Sequence, residues 1–189
     1  MPFPAAAAQR RLVHRRRFDI QIHARADGLW EVDAMLEDVK TRDVPMADGI
    51  RRAGEPIHEL HLRLVVDASL TIVSAGSETR WMPYDGVCNT HDDIYARLAG
   101  LNLARGFRKA LLERVGGVQG CTHLTELAQV LPTAVIQAFA GEVIDTQGAA
   151  DVRPFQIDRC HALRSDGETV RLHYPRWYRA TPLPDPKED

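Results

Sequence analysis

The sequence has few of the features that betray a function directly. It holds three cysteines in 189 residues, Cys88, Cys121 and Cys160. An odd number at wide spacing builds no disulfide framework, and without any Cys-x-x-Cys pair the usual spacing signal for zinc or an iron–sulfur cluster is missing. No apolar run reaches the roughly 18 residues that a membrane-spanning helix needs. Neither charge dominates: 24 Lys and Arg against 26 Asp and Glu leave a net −2 with neutral histidines, so no broad positive field exists to hold a nucleic acid backbone. There is no phosphate loop, no dinucleotide fingerprint and no Gly-x-Ser-x-Gly elbow. Nucleotide-driven chemistry is therefore not expected, and any catalysis has to run on side chains, with at most one metal.

What is present describes a soluble domain. Apolar residues make up 44% and charged residues 26%, which excludes disorder for the bulk of the chain. A chain of this length buries roughly 70% of its unfolded surface and needs no staple to hold a core. Met1 to Ala8 is small and apolar, but basic residues follow it rather than precede it, the wrong order for a secretory signal. Reduced thiols in a cytoplasmic protein are the expectation.

The hydrophobic pattern changes period along the chain. Phe18, Ile20 and Ile22 alternate with polar residues, a strand period, and His14-Arg15-Arg16-Arg17 at the strand's start reads as a solvated guard against strand addition. Asp27-Gly28 marks a hairpin turn. Trp30, Val32, Ala34 and Leu36 then share one face, which continues to Asp38 and Lys40. Either this strand emerges into water there, or an ion pair sits at the rim of the core. Residues 41–56 read as a loop. His58, Leu60, Leu62, Leu64 and Val66 form a further face, with Glu59, His61 and Arg63 on the other, and residues 70–75 complete a four-stranded meander. Helices are expected at 92–98, at 103–115 capped by Asn102, and from a cap at Thr122, with Pro132 kinking or dividing the last. Residues 155–163 and 169–174 resemble a closing hairpin. The expected class is α+β, an antiparallel sheet of meander and C-terminal hairpin packed on three helices. Residues 1–11 are expected to be flexible, 12–179 to form a single domain and 180–189 to be a disordered tail.

The densest chemical signal is Gly120-Cys121-Thr122-His123-Leu124, a thiol and an imidazole two residues apart where an apolar helix begins. A helix N-terminus favours negative charge and can activate a thiol, so an activated cysteine, a metal-ligand pair and an anion site all remain open beside a plain cap. His58 and His61 point to opposite faces of a strand and cannot both hold one metal. His58 can serve as a general base near neutrality. Cys88 follows a loop carrying Tyr84, and Cys160 precedes His161 on a late segment.

Several blocks together resemble an uncharacterised bacterial family, a domain of unknown function: Asp27-Gly28-Leu29-Trp30 through Asp38-x-Lys40, Gly54-Glu55-Pro56-Ile57-His58, Gly120-Cys121-Thr122-His123-Leu124, and Tyr174-Pro175-Arg176-Trp177-Tyr178. The resemblance implies a setting among genes for breakdown of aromatic and other small organic compounds. In topology, the meander, the loop cysteine Cys88 and the helix-opening Cys121 are more distantly similar to iron–sulfur scaffold and sulfur-acceptor proteins. The middle cysteine of those scaffolds has no counterpart, so cluster assembly does not follow from the likeness.

Three functions are set side by side. The favoured one is a cofactor-independent carbon–carbon lyase acting by acid–base chemistry on a phenolic or aromatic small molecule, such as a lignin-derived one, with release of a small carbonyl compound like formaldehyde. His58, His123, Tyr84, Lys40 and Cys121 are its candidate catalytic residues; Trp30, Trp81, Arg80, Asp38 and His61 are its candidate substrate contacts. The second is a metal- or sulfur-binding protein holding zinc or iron through Cys88, Cys121 and His123, with Cys160 as a further thiol. The third is a binding domain without chemistry. The expected partners are a small aromatic substrate, with a homodimer as the candidate assembly, and neither nucleic acid nor membrane.

Overall fold

The computed structural model describes residues 3, 8–47, 49–148 and 151–180. The expected flexible N-terminus lies largely, and the expected tail almost wholly, outside the described residues. The chain divides into two compact units, one running to Ile136 and one from Gln137 onward.

Four long strands form one antiparallel sheet: β1 (His14–Ala24), β2 (Trp30–Lys40), β5 (Pro56–Val66) and β6 (Ile72–Trp81), in the order β1-β2-β5-β6. β3 (Val44–Met46) and β4 (Gly49–Arg51) make a separate two-stranded ribbon. The α+β class and the meander are as the alternation indicates. The ribbon falls inside the segment expected to be a plain loop, and β6 runs six residues beyond the expected strand. The register is regular: Ile22, Val32 and Leu64 stand in one row across the sheet, and so do Ile20, Ala34 and Leu62, then Phe18, Leu36 and Leu60. Val32, Leu36, Leu62 and Leu64 on this face are at most 1% exposed. Burial of such side chains stabilises by about 1.5–3 kcal/mol each, which makes this face the foundation of the first unit.

Charged residues occupy the opposite face in cross-strand pairs, among them Arg63 with Asp33 at 2.6 Å and Arg17 with Glu37 at 3.2 Å. Exposed pairs of this kind contribute about 0–1 kcal/mol each, so they set solubility and register more than stability.

After β6 a run of 3-10 turns covers Cys88–Leu98 and buries Tyr95 completely. α1 (Phe107–Val115) starts later than expected. Asn102 does not cap it: its amide donates to the Ser69 carbonyl at 2.8 Å and its Oδ1 accepts from the Ala104 N–H at 3.0 Å, which fastens the β5–β6 turn. The helix begins only after Gly106, whose φ of 63° suits a residue without Cβ. α2 (Thr122–Phe139) runs through Pro132 as one helix. Its residue before the first turn is Cys121, whose carbonyl accepts from the Thr125 N–H at 2.9 Å. Leu124, Leu127, Ala128, Leu131 and Val135 give it a fully apolar stripe.

The second unit corrects the expectation of a closing hairpin. Residues 161–163 are a 3-10 turn and Glu168–His173 form a short helix, α3. Asp158 has a positive φ of 62°, its N–H meets the Leu163 carbonyl at 2.8 Å and its carboxylate accepts from the Ser165 N–H at 2.7 Å. The N–H groups of Ile157, Asp158, Arg159 and Leu163 are all spent on such short-range turn bonds rather than on a strand ladder.

Candidate functional site

At one end of the sheet the apolar rows give way to a charged one. Arg16, Asp38 and His58 are direct cross-strand neighbours on β1, β2 and β5, on the same face as the leucines. The next row adds His14 opposite Lys40. The register of β2 against β5 skips a residue just after Asp38, and Asp38 and Val39 are consecutively buried. Such a bulge turns neighbouring side chains out of strict alternation. The rim of the core is therefore an ion pair, one of the two outcomes the pattern allowed. His14 and Arg16 do not guard a solvated edge as expected; they face inward onto Asp38.

Asp38 is only 3% exposed and gathers four donors. His14 Nε2 lies 2.8 Å from Oδ1, Arg16 donates from Nε to Oδ1 at 2.8 Å and from Nη2 to Oδ2 at 2.6 Å, and His58 Nδ1 is 3.1 Å from Oδ2. Burial alone would raise its pKa, but the hydrogen bonds and positive charge of Arg16, with His14, outweigh it and hold the group at about 2. The carboxylate is thus a fixed anion.

α2 closes the site from its first two turns. His123 stacks on His58 with ring centroids 3.9 Å apart at an interplanar angle of 34°. Its Nε2 is 3.9 Å from Asp38 Oδ2, and its Nδ1 is 3.9 Å from Cys121 Sγ. One turn on, Glu126 binds the free arm of Arg16 at 2.5 Å. Burial first, and then the charge of neighbouring His123, push His58 down to about 4 against the pull of Asp38. Burial and Arg16 lower His123 as well, opposed by Asp38 and Glu126. At neutral pH His58 is therefore an uncharged ring. Its Nδ1 faces a carboxylate and carries the proton, which leaves Nε2 with a bare lone pair.

The Gly-Cys-Thr-His-Leu block now has a physical reading. A Cβ on Gly120 would lie 2.4 Å from the Val115 carbonyl oxygen and 3.1 Å from the Tyr95 hydroxyl, so only glycine fits that approach. The buried Tyr95 hydroxyl accepts from the Cys121 N–H at 3.0 Å and donates to the Cys121 carbonyl at 2.8 Å. His123 then turns to Asp38, and Leu124 enters the core.

Of the residues singled out from the sequence, Asp38, His58, Cys121 and His123 converge, and Lys40 is the register partner of His14 two residues beyond Asp38. His61 and Arg80 do not join them. They lie on the opposite face, where His61 contacts Glu59 at 3.0 Å, Arg80 contacts Glu78 at 3.0 Å, and both line an open cavity of about 550 Å³. Trp81 stands opposite Glu59 with the Arg51 guanidinium 4.4 Å above its ring. Trp30 is eight residues from Asp38 along β2, about 26 Å at the usual strand rise. Tyr84 lies in the turn after β6 and is 61% exposed. All three cysteines are free thiols, and Cys160 is on the surface of the second unit. Among the described residues one group of side chains converges closely enough to hold a metal ion: Asp38, His58 and His123, with donor atoms within 4.8 Å of one another and no cysteine among them.

His14, Arg16 and Glu126 were not anticipated. Parity carries the signal for the first two, since they continue the Phe18-Ile20-Ile22 face; for Glu126 it is the three-residue step from His123 along a helix.

The fold and its site define an α+β protein with a buried carboxylate–imidazole centre at the rim of an antiparallel sheet. The chain belongs to the family described as "Protein of unknown function (DUF2889)", whose model matches residues 14–137. That span begins at His14 and takes in every residue of the centre. No curated protein and no solved structure gives a significant match. Among the described residues no helix is long and apolar enough to cross a membrane.

Proposed function

We propose that the chain is a lyase that breaks a carbon–carbon bond in a phenolic or other aromatic small molecule by proton transfer, without a cofactor. One observation carries this reading: His58 is held through Nδ1 by a buried, permanently ionised Asp38, so that Nε2 is a positioned base. Nε2 removes the proton of a substrate hydroxyl. The O–H electron pair becomes the second bond of a carbonyl, the adjacent carbon–carbon bond breaks, and its electrons enter the conjugated system of the ring. The proton returns to that system, and the small carbonyl compound departs. Lys40, the register partner of His14, is the candidate cation for the developing negative charge.

The test is incubation of the purified chain with lignin-type phenolic compounds that carry a free hydroxymethyl group, with formaldehyde as the readout. His58→Asn retains a donor toward Asp38 and removes the base. Release by the native chain and its loss in that variant support the reading. Release unchanged in His58→Asn, or none from any phenolic substrate, contradicts it.

The convergence of Asp38, His58 and His123 favours a second reading, a site for zinc or iron. Against it, Arg16 already sits 2.6 Å from Oδ2, where a cation would have to bind. Elemental analysis of protein purified without chelator separates the two: stoichiometric metal supports the second, active metal-free protein the first.

A further inference from the structure

His123 lies between Cys121 and Asp38, with one ring nitrogen toward each. The thiol sulfur is 3.9 Å from His123 Nδ1, and the other ring nitrogen is 3.9 Å from Asp38 Oδ2. This is the order nucleophile, base, orienting carboxylate, at the looser spacing that such groups show before a substrate closes on them. With Nε2 turned to the carboxylate, Nδ1 presents its lone pair to the thiol. The backbone that carries the thiol is held in place, because the buried Tyr95 hydroxyl grips Cys121 at both its N–H and its carbonyl. Cys121 is half-buried, neither sealed in the core nor free on the surface. Neither of the other two cysteines is paired with a histidine in this way among the described residues.

We propose that Cys121 is a nucleophilic thiol, served by His123 as its base, which adds covalently to a soft conjugated electrophile such as an α,β-unsaturated carbonyl compound. The reaction is an addition and balances without any other reagent. The thiol proton passes to His123 Nδ1, and the sulfur electron pair forms the S–C bond at the β-carbon. The displaced π pair moves onto the carbonyl oxygen, and the proton held by His123 returns to the α-carbon. The first N–H groups of α2 face the sulfur's end of the helix and suit the transient enolate charge. The proposal goes beyond the lyase reading and stands without it, since it uses Nδ1 of His123 rather than the base on His58.

The test is competitive labelling of the purified chain with N-ethylmaleimide, an α,β-unsaturated dicarbonyl probe, at less than one equivalent. Modification of the three cysteines is followed by peptide mass spectrometry. Cys121 is expected to react about tenfold faster than the exposed Cys160. His123→Asn is expected to slow Cys121 by about tenfold and leave Cys160 unchanged, with an unaltered circular dichroism spectrum and urea midpoint as the check that the chain is folded. Cys88→Ser and Cys160→Ser should not alter the rate at Cys121. Labelling of Cys160 as fast as Cys121 in the native protein overturns the proposal, and so does a Cys121 rate indifferent to His123→Asn. Neither result touches the formaldehyde assay, so the two readings fail separately.

Discussion

Asp38 and His58 face each other across β2 and β5, with Oδ2 of one 3.1 Å from Nδ1 of the other, where the leucine rows of the sheet end. A carboxylate in that position would be an uncompensated buried charge were it not for Arg16 and His14 on the neighbouring strand. The arrangement links the core to the chemistry: the packing that buries Leu36 and Leu60 also excludes water from the carboxylate, and this exclusion keeps His58 neutral.

Replacement of Asp38 by Asn keeps the shape and removes the charge. One of the two oxygens that accept from Arg16 then becomes an amide donor, so Arg16 keeps at most one of its two hydrogen bonds in a half-buried setting, and His58 loses the charge that fixes its tautomer. The expected cost is about 2–3 kcal/mol of stability, read from urea unfolding, together with loss of at least about tenfold in turnover. A variant as stable as the native chain would show that the pair is not structural.

The pH dependence follows from His58. The groups around it are Asp38 on β2, His14 and Arg16 on β1, and His123 and Glu126 on α2. Its folded pKa of about 4 lies below the ordinary 6.5, so between those values the unfolded chain binds a proton that the folded chain refuses. The stability contributed by the neutral ring is complete above pH 6.5 and is lost as pH falls toward 4. Asp38, held at about 2, acts in the same direction at lower pH. Unfolding free energy should therefore decline between pH 6.5 and 4, and less steeply in His58→Asn. Turnover should stay level from pH 8 to about 5 and fall below it. A rate that falls between pH 7 and 6 would contradict this.

Gly120→Ala drives a Cβ into the Val115 carbonyl, at 2.4 Å in the present geometry, and toward the Tyr95 hydroxyl. The backbone must shift at the start of α2, with an expected loss of about 2 kcal/mol or more in thermal or urea unfolding. An unchanged midpoint would mean that this junction gives way easily.

On the other face of the sheet, His61→Ala breaks a half-buried contact with Glu59. It should change stability by no more than about 0.5 kcal/mol and leave formaldehyde release within about twofold. A large loss of turnover would move the site to the cavity beside Arg80.

β1, β2 and β5 were legible because one face of each carries apolar residues at two-residue spacing, and so was the change to helices after β6; β6 has no such face beyond Ala75, so its last six residues were missed. The C-terminal segment misled because short apolar runs around Phe155 and Val170 do not distinguish a strand from tight turns, and there Asp158 decides by folding back on its own backbone. Asp38, His58, Cys121 and His123 could be named as candidates from residue type. Their partners were missed, because His14 and Arg16 read as a basic end: parity puts them on the apolar face, but only the cross-strand register puts them on Asp38. Trp30 and Trp81 do not line the centre: Trp30 is eight residues from Asp38 on the same strand, a separation the strand period already implies, whereas Trp81 is placed opposite Glu59 only by the register of β6.

The most direct measurement is a nitrogen-15 NMR titration of His58 in the native chain. The account predicts titration near pH 4 and, above it, a proton on Nδ1 with Nε2 bare. Titration at or above 6.5, or a proton resident on Nε2, would contradict it.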